Sequence, residues 1–203
     1  MKSLSEIDTT SKRASRAVGF SWGVAEEIGK SIRLLELFGL AGIKTLTKYY
    51  NLKTNQKFED LNLINESNFS EKNPYCPIIL GLNFLDQIRT VENFKKIIFK
   101  KISFPLLFLP FLSRSSEIIG KRIYAKFDKI EFLLNLNVNI SSNLLNKDCP
   151  EIANNVEVNI MENQDNFSDQ EWRSLYKISE ETFVEETDSS KQSAAGAGLT
   201  DND

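Results

Sequence analysis

The clearest pattern of hydrophobic and polar positions lies within residues 19–40 and predicts an amphipathic helix. Four aliphatic residues recur there at helical spacing and share one face: Val24, Ile28, Ile32 and Leu35. Ser21 is the expected N-cap, because its hydroxyl can accept a hydrogen bond from the first turn, and Gly23 is an alternative cap. Gly39 is expected to end the helix in a left-handed conformation. Gly29 lies inside the helix, where glycine costs roughly 1 kcal/mol relative to alanine, so a close approach by another backbone is expected there.

Two more helices complete a predicted helical layer over residues 3–50. The first begins at Ser3, which forms an S-x-x-E capping box with Glu6. The third runs from about Ile43 to Tyr50, and three of its residues are expected to face inward: Ile43, Leu46 and Tyr50. Residues 51–75 are polar and read as a surface loop.

The second half of the chain mixes helix and strand signals. Pro77 suits the first position of a helix over residues 76–87. Further elements are predicted in this order: buried strands at 95–102 and 103–112, a short helix from Ser113 to Gly120, a hairpin of 122–127 and 129–137, and a strand at 156–160.

A late helix is predicted over residues 168–178, where Ser168 and Glu171 form a second capping box. Three residues make its apolar edge: Trp172, Leu175 and Ile178. Residues 179–203 are an acidic tail that ends G-A-G-L-T-D-N-D.

Together these elements predict an α+β fold in a single domain over residues 1–203. The N-terminal helical layer is expected to pack with a mostly antiparallel sheet. The helix-and-sheet core spans residues 76–178, and the late helix and the glycine-rich tail follow it.

The amino-acid composition excludes several kinds of catalytic and metal site. The 203 residues include no histidine, which excludes Ser-His-Asp triads, Cys-His dyads and His-ligated zinc. Cys76 and Cys149 form no C-x-x-C motif and are interpreted as reduced thiols of a soluble, cytoplasmic protein. The most apolar run, residues 102–112, contains two prolines and is about half as long as a membrane-spanning helix, so no membrane partner is expected.

Charge is distributed unevenly along the chain. Residues 1–57 carry a net charge of +5, whereas residues 148–203 carry −11. The acidic part can fold back on the basic remainder or stay solvated. The basic excess is modest and accompanies no nucleic-acid recognition motif, so no nucleic acid is expected as a partner.

Several residues are candidates for a site. Glu26 and Glu27 can compensate the helix dipole, with Glu26 pairing with Lys30, or they can point a carboxylate pair at a ligand. Two other catalytic candidates are Cys76, as a reactive thiol, and Asp86, whose simpler interpretation is a surface partner for Arg89. Trp22 is expected to be a core or staple residue, with a ligand platform as the alternative.

The C-terminal tail offers a second set of ligand-binding candidates: Gly196, Gly198, Thr200, Asp201, Asn202 and Asp203. Alternating glycines allow backbone N–H groups to converge on an anion. Asp201 and Asp203 are weak candidates for a Mg²⁺ or Ca²⁺ site, since these ions prefer oxygen ligands. The alternative is a frayed terminus.

Four blocks of this sequence resemble an uncharacterised bacterial family, domain of unknown function 3726. They are W-G-V-A-E-E-I-G, C-P-I-I-L-G-L-N-F-L-D, L-F-L-P-F-L and the terminal G-A-G-L-T-D-N-D. The resemblance runs through nearly the whole chain, with departures in Asn- and Lys-rich loops and after Cys76. It implies no reaction, cofactor or fold, but it favours an ordered tail.

Two functional hypotheses follow, and neither identifies a cofactor. The first is a non-enzymatic interaction or assembly protein, either a homo-oligomer or bound to a protein partner. The alternative is a small-molecule-binding protein or enzyme, in which the W-G-V-A-E-E helix start, Cys76 and the terminal T-D-N-D converge on one pocket.

Overall fold

The computed structural model describes residues 2–144 and 148–183. Two compact units are present, Met1–Asn163 and a second that begins at Gln164. The expectation of a single domain over residues 1–203 stays a prediction. The helices of the described residues are α1 (Leu4–Ala17), α2 (Trp22–Leu37), α3 (Gly42–Lys53), α4 (Pro77–Asp86), α5 (Ile88–Val91), α6 (Leu109–Ile119) and α7 (Asp169–Ser179). The strands are β1 (Ser67–Phe69), β2 (Lys96–Ser103), β3 (Arg122–Phe127), β4 (Ile130–Asn135), β5 (Asn139–Ser142) and β6 (Ile152–Met161).

The helix ends follow the predicted signals. Ser3 accepts a hydrogen bond from the backbone of Glu6, whose carboxylate accepts one from the Ser3 backbone, so the capping box is confirmed. Ser21, and not Gly23, caps α2. Gly39 has φ +71°, and the Leu40 N–H donates to the Leu35 carbonyl at 2.8 Å. This is the Schellman arrangement that satisfies free carbonyls at a helix end.

A close approach by another helix explains the glycine at position 29 inside α2, as expected. A Cβ added at Gly29 would lie 2.9 Å from the carbonyl oxygen of Asp8 on α1, closer than real Cβ atoms approach. The two helices therefore pack with their backbones in close contact, which only glycine permits at this position. The predicted close approach is confirmed.

Two predictions about the inner face of the helical layer are wrong. Ile43 is exposed, and the fully buried residue of α3 is Tyr49, because the helix is rotated toward that side. Trp22 is not a core residue, since it is 61% exposed with the Arg16 guanidinium 4.7 Å from its ring centre. Phe20, two residues before Trp22, is buried instead.

The six strands form one sheet in the order β1-β2-β6-β3-β4-β5. β1 pairs with β2 in parallel and every other pair is antiparallel, which confirms the mostly antiparallel sheet and the α+β class. Alternate residues of the long strands are buried, as expected for a sheet with one covered face. The buried apolar residues on the four longest strands are Ile97, Phe99, Ile102, Ile123, Ala125, Phe127, Phe132, Leu134, Ala153, Val156, Val158 and Ile160.

The strand predicted at 103–112 is wrong, because β2 ends at Ser103 and the chain turns helical. Phe104 has φ +41°, Pro105 opens a short 3₁₀ turn, and Pro110 lies in the first turn of α6. Proline suits these first positions because the missing N–H would be free there anyway. Residues 104–109 are buried on all sides and carry no helical period, so their pattern could not be told from that of a buried strand.

Other expectations about this half of the chain are met with changed boundaries. The predicted helix from Ser113 is the second half of α6, and Gly120 ends it with φ +66° as expected. The β3–β4 hairpin is confirmed, and Asp128 sits in its turn with φ +53°. The last strand is longer than predicted, and β5 is an additional strand.

Helices α4 and α6 cover the sheet and contact each other closely. The helix predicted at 76–87 is confirmed as α4, with Pro77 in its first turn. A Cβ on Gly81 would lie 2.2 Å from the Phe111 ring, so this glycine makes room for an aromatic side chain of α6. Phe84 and Phe99 pack edge-on against Phe108 at 5.6 and 5.7 Å.

The unit that begins at Gln164 contains α7. Its capping box of Ser168 and Glu171 is confirmed. No residue of this helix is buried. Residues 184–203, which include the terminal G-A-G-L-T-D-N-D, lie outside the described residues.

Candidate functional site

Three of the predicted site residues line one open surface groove between α2 and α4, called here the α2–α4 groove. They are Glu26, Glu27 and Asp86, and they lie beside Ser21, Gly23 and Asn83. The groove has a volume of about 580 Å³. Residues from the end of the predicted W-G-V-A-E-E block and from α4 are therefore neighbours, although they are far apart in sequence.

Glu26 pairs with Lys30, which is the simpler of its two predicted roles. Its carboxylate lies 3.7 Å from the Lys30 ammonium on the same helix and 3.9 Å from Lys12 of α1. The side chain is half exposed. Such exposed pairs contribute little to stability.

Glu27 links two helices. Its carboxylate accepts hydrogen bonds from Lys30 at 2.8 Å and from Arg114 of α6 at 2.5 Å. Burial would raise the pKa of Glu27, but the hydrogen bonds and positive charges of these two partners outweigh it and hold the pKa below the usual range. Glu27 is therefore ionised at neutral pH and already paired.

Asp86 is exposed at the last position of α4. The expected pairing with Arg89 is wrong, because α4 ends before that residue and Arg89 instead approaches Glu92 at 3.9 Å. The Asp86 carboxylate keeps its place in the α2–α4 groove without an ion-pair partner among the described residues.

Cys76 lies beneath the surface and is not among the residues that line the α2–α4 groove. It is buried at the N-cap of α4, and its Sγ lies 3.1 Å from the Tyr49 hydroxyl. Burial raises the pKa of the Cys76 thiol and that of the Tyr49 hydroxyl. Burial also raises the pKa of Cys149, to about 12. The thiolate that a nucleophilic cysteine needs is therefore disfavoured at both positions.

The remaining candidates are outside this groove or outside the described residues. Trp22 is the first residue of α2, and its side chain is largely exposed. The six tail candidates, Gly196, Gly198, Thr200, Asp201, Asn202 and Asp203, fall beyond Phe183, the last described residue. The convergence of tail, Cys76 and helix start thus stays a prediction, as does any metal site at Asp201 and Asp203.

Within residues 2–144 and 148–183, no group of three or more Cys, Asp or Glu side chains is arranged to hold a metal ion. None of the described helices is long and apolar enough to cross a bilayer.

A second groove, which the sequence did not predict, lies between α2 and α6 and is called here the α2–α6 groove. Its lining residues are Lys30, Arg33, Leu34, Leu37, Arg114, Glu117 and Asn137. Three of these are cations, and Leu37 is 58% exposed. The groove joins residues from three separate elements, so no local pattern indicates it.

A third, more apolar groove lies between α1 and α3. It is lined chiefly by Ile7, Ala14, Ile43 and Leu46 and by the hydroxyls of Thr10, Ser11, Thr47 and Tyr50. Its volume is about 220 Å³, which is the size of one large side chain.

The apolar edge predicted for the late helix is present on α7, and it is exposed. Trp172 is 53% exposed, and Leu175 and Ile178 are both 63% exposed. Phe167 stacks on Trp172 with ring centres 5.6 Å apart, and Tyr176 meets Phe183 edge-on at 6.3 Å. Helical periodicity predicted this face, but it did not reveal that no described residue of the unit that begins at Gln164 buries it.

The described residues thus define an α+β protein with surface grooves on its helices and one exposed amphipathic helix. Residues 2–75 match the model of a family described as protein of unknown function (DUF3726). This match, over just over one third of the chain, confirms the resemblance found in the sequence for that segment. No curated protein and no solved structure matches the chain significantly.

Proposed function

We propose that this chain is a non-enzymatic interaction protein that self-associates through α7. The observation that carries the proposal is the exposed apolar face of this helix. Large apolar side chains that cluster on the surface mark interaction sites, and aromatic residues are enriched in the centres of interfaces. We also retain the prediction of a soluble, cytoplasmic protein.

Six large apolar side chains lie within seventeen residues of α7 and its flanks: Phe167, Trp172, Leu175, Tyr176, Ile178 and Phe183. Each is about half to two thirds exposed. The capping box at Ser168 stabilises the first turn of the helix that carries these side chains. Stabilising the helix before it meets a partner lowers the entropic cost of association.

The free energy gained by apolar burial, set against the cost of association, favours a weak complex. Covering the exposed part of twelve such side chains, six from each copy, gains on the order of 10 kcal/mol. Association costs roughly 4–15 kcal/mol in lost freedom. The net free energy of association is small, so the expected dimer has a dissociation constant in the micromolar range or above.

A second copy of the chain is the proposed partner because a two-fold contact requires only one self-complementary surface. In such a contact the apolar faces of two α7 helices pack against each other. The polar face, with Gln170, Ser174 and Lys177, stays in water in this arrangement. This provides positions for a matched control.

The test is sedimentation velocity of the full chain over a range of concentrations. Trp172→Ser combined with Leu175→Ser removes the centre of the apolar face and leaves the capping box intact. Gln170→Ala combined with Ser174→Ala is the matched control, because it also changes two residues of α7 but leaves the apolar face intact. Loss of a concentration-dependent dimer in the first variant only supports the proposal.

A wild-type chain that stays monomeric at all accessible concentrations would overturn the proposal. So would a dimer that survives in the Trp172→Ser, Leu175→Ser variant. Far-ultraviolet circular dichroism of both variants shows whether the helices are kept.

The second candidate function is a small-molecule-binding protein. It is favoured by the α2–α4 groove, where Glu26, Glu27 and Asp86 line one surface. The test is thermal unfolding with divalent cations and cationic metabolites, comparing the full chain with Asp86→Asn. A ligand that raises the midpoint of the wild type but not of the variant supports this function, because binding to the native state is stabilising. Equal shifts, or none, count against it.

A further inference from the structure

The groove between α1 and α3 has apolar walls and charged lining residues that balance each other. The four apolar side chains named above for this groove form its walls. Its charged lining residues are Lys2 and Glu6, whose side chains lie 3.6 Å apart. Glu6 also accepts a hydrogen bond from the Ser3 backbone, so its carboxylate is doubly engaged. An uncharged ligand is therefore favoured, because an ion would lose water without gaining a free counter-charge.

Ser11 of α1 brings a buried hydroxyl without a partner to this groove. The residue lines the groove and is 6% exposed. Its backbone carbonyl accepts a hydrogen bond from Ser15, but its own hydroxyl bonds to none of the residues that the structure describes. Buried hydroxyls in folded proteins nearly always have a hydrogen-bond partner. A molecule held in the groove is in the right place to be that partner.

The groove also offers hydrogen-bond acceptors, from Tyr50 and Thr47 of α3. The Ser15 hydroxyl donates its one proton to the Ser11 carbonyl at 2.6 Å, so the Tyr50 hydroxyl is the donor in its 2.5 Å bond to Ser15. Burial raises the pKa of Tyr50 to about 12, which keeps this proton in place at neutral pH. Thr47 donates its proton to the Ile43 carbonyl at 2.9 Å. Both oxygens retain lone pairs, so a ligand with an O–H or N–H donor is favoured.

The size of the groove limits the apolar part of the ligand. Its volume is about 220 Å³. A cavity of roughly 150 Å³ lined by apolar side chains holds a benzene molecule, whereas pockets for drug-sized ligands have roughly 300–1,000 Å³. The space therefore fits one ring, or a chain of similar size, with one small substituent.

We propose that the α1–α3 groove binds a small uncharged molecule with an apolar body the size of one ring and a single hydroxyl or N–H donor. The apolar body lies against the aliphatic walls, and the donor group lies within reach of the Ser11 and Tyr50 hydroxyls. Phenol is the simplest probe with these features.

The test is a titration of the isotope-labelled full chain with phenol, followed through the amide chemical shifts of α1 and α3. Saturable binding with a Kd of about 1 mM is expected for a ligand of this size. Toluene is the matched control, because it has the same number of non-hydrogen atoms and no hydrogen-bonding group. Benzoate adds a charge and is expected to bind at least about tenfold more weakly than phenol.

Ser11→Ala separates the hydrogen bond from the apolar contact. This variant is expected to weaken phenol binding by about threefold to tenfold, since it removes one hydrogen-bonding group. Toluene makes no use of the hydroxyl, so its affinity should change by less than about twofold.

Ala14→Phe tests the location of the site, because the added ring fills the groove. It is expected to weaken binding of phenol and toluene by at least about tenfold. Ala17→Phe is the matched control, since it makes the same change at an exposed position of α1 that does not line the groove, and it should leave both affinities unchanged. Far-ultraviolet circular dichroism shows whether each variant keeps its helices, and the Ser11→Ala comparison decides if Ala14→Phe unfolds.

The proposal is overturned if phenol causes no saturable change, or if Ser11→Ala has the same effect on phenol and toluene. Equal effects of Ala14→Phe and Ala17→Phe in folded proteins would also overturn it. The site uses residues of α1 and α3, so these outcomes are independent of self-association through α7.

Discussion

Gly29 of α2 faces Asp8 of α1 so closely that a Cβ at Gly29 would lie 2.6 Å from Asp8 Oδ1 and 2.9 Å from its backbone oxygen. We expect Gly29→Ala to lower the free energy of unfolding by about 1–3 kcal/mol, because overpacking forces the two helices apart. The loss occurs although alanine is the better helix former by roughly 1 kcal/mol. Urea denaturation of both proteins measures the difference.

The matched control for this prediction is Gly23→Ala, in the first turn of the same helix. Nothing lies within 4 Å of a Cβ built there. The variant is expected to be as stable as the wild type, or more stable by up to about 1 kcal/mol. If the two alanine variants behave alike, the contact with Asp8 does not limit the packing of α1 on α2.

A second prediction concerns buried serines. Ser31 is buried, and its hydroxyl has no hydrogen-bond partner among the described residues. Ser31→Ala is expected to raise the free energy of unfolding by about 1 kcal/mol, because it removes an unsatisfied polar group from the interior. Ser15 is equally buried, but its hydroxyl donates to the Ser11 carbonyl and lies 2.5 Å from the Tyr50 hydroxyl. Ser15→Ala should therefore destabilise by about 1 kcal/mol, and equal effects at the two sites would contradict this account.

The Glu27 carboxylate should make stability depend on pH. Its pKa is lowered in the folded chain, so its contribution is present above the unfolded pKa and is lost as the pH falls through the folded value. We expect Glu27→Gln to cost roughly 1 kcal/mol at neutral pH, and the difference from wild type to disappear in acid. Glu26→Gln, at a half-exposed carboxylate with longer contacts, should cost less than about 0.5 kcal/mol. A pH-independent cost for Glu27→Gln would show that shape, not charge, matters there.

Thiol alkylation tests the environment of Cys76. In a Cys149→Ser background, iodoacetamide at pH 8 is expected to react with Cys76 at least about a hundredfold more slowly in the folded chain than in urea. The reason is that burial excludes the reagent and raises the pKa of the thiol. Reaction at the rate of a free thiol in the folded chain would instead support the hypothesis that Cys76 is a reactive nucleophile.

Sequence reasoning succeeded where the signal is local. The capping boxes at Ser3 and Ser168 and the helix-ending glycines Gly39 and Gly120 each act through residues within one turn. Those interactions need no knowledge of the rest of the fold, and all four are present in the structure.

It failed where tertiary packing decides. Residues 104–109 are apolar on every side and gave no period, so a helical turn was mistaken for a strand. The rotation of α3 that buries Tyr49 in place of Ile43 depends on neighbours distant in sequence, among them Phe104 at 5.8 Å. The α2–α6 groove joins Arg33, Arg114 and Asn137 across three elements, which no spacing rule connects.

The short strand β1 lies at the sheet edge and pairs in parallel with β2, so that Ser67 lies opposite Ile98. Close by, the Tyr75 N–H donates to the Lys101 carbonyl at 2.7 Å, and Tyr75 accepts from the Ser103 N–H at 3.1 Å. The stretch that matches the family model therefore ends inside hydrogen bonding with β2. A fragment cut after Tyr75 would leave β1 a lone edge without a neighbour. Any relative that shares this stretch in the same conformation must supply a strand that pairs with β1. The end of the shared sequence is therefore not a domain boundary.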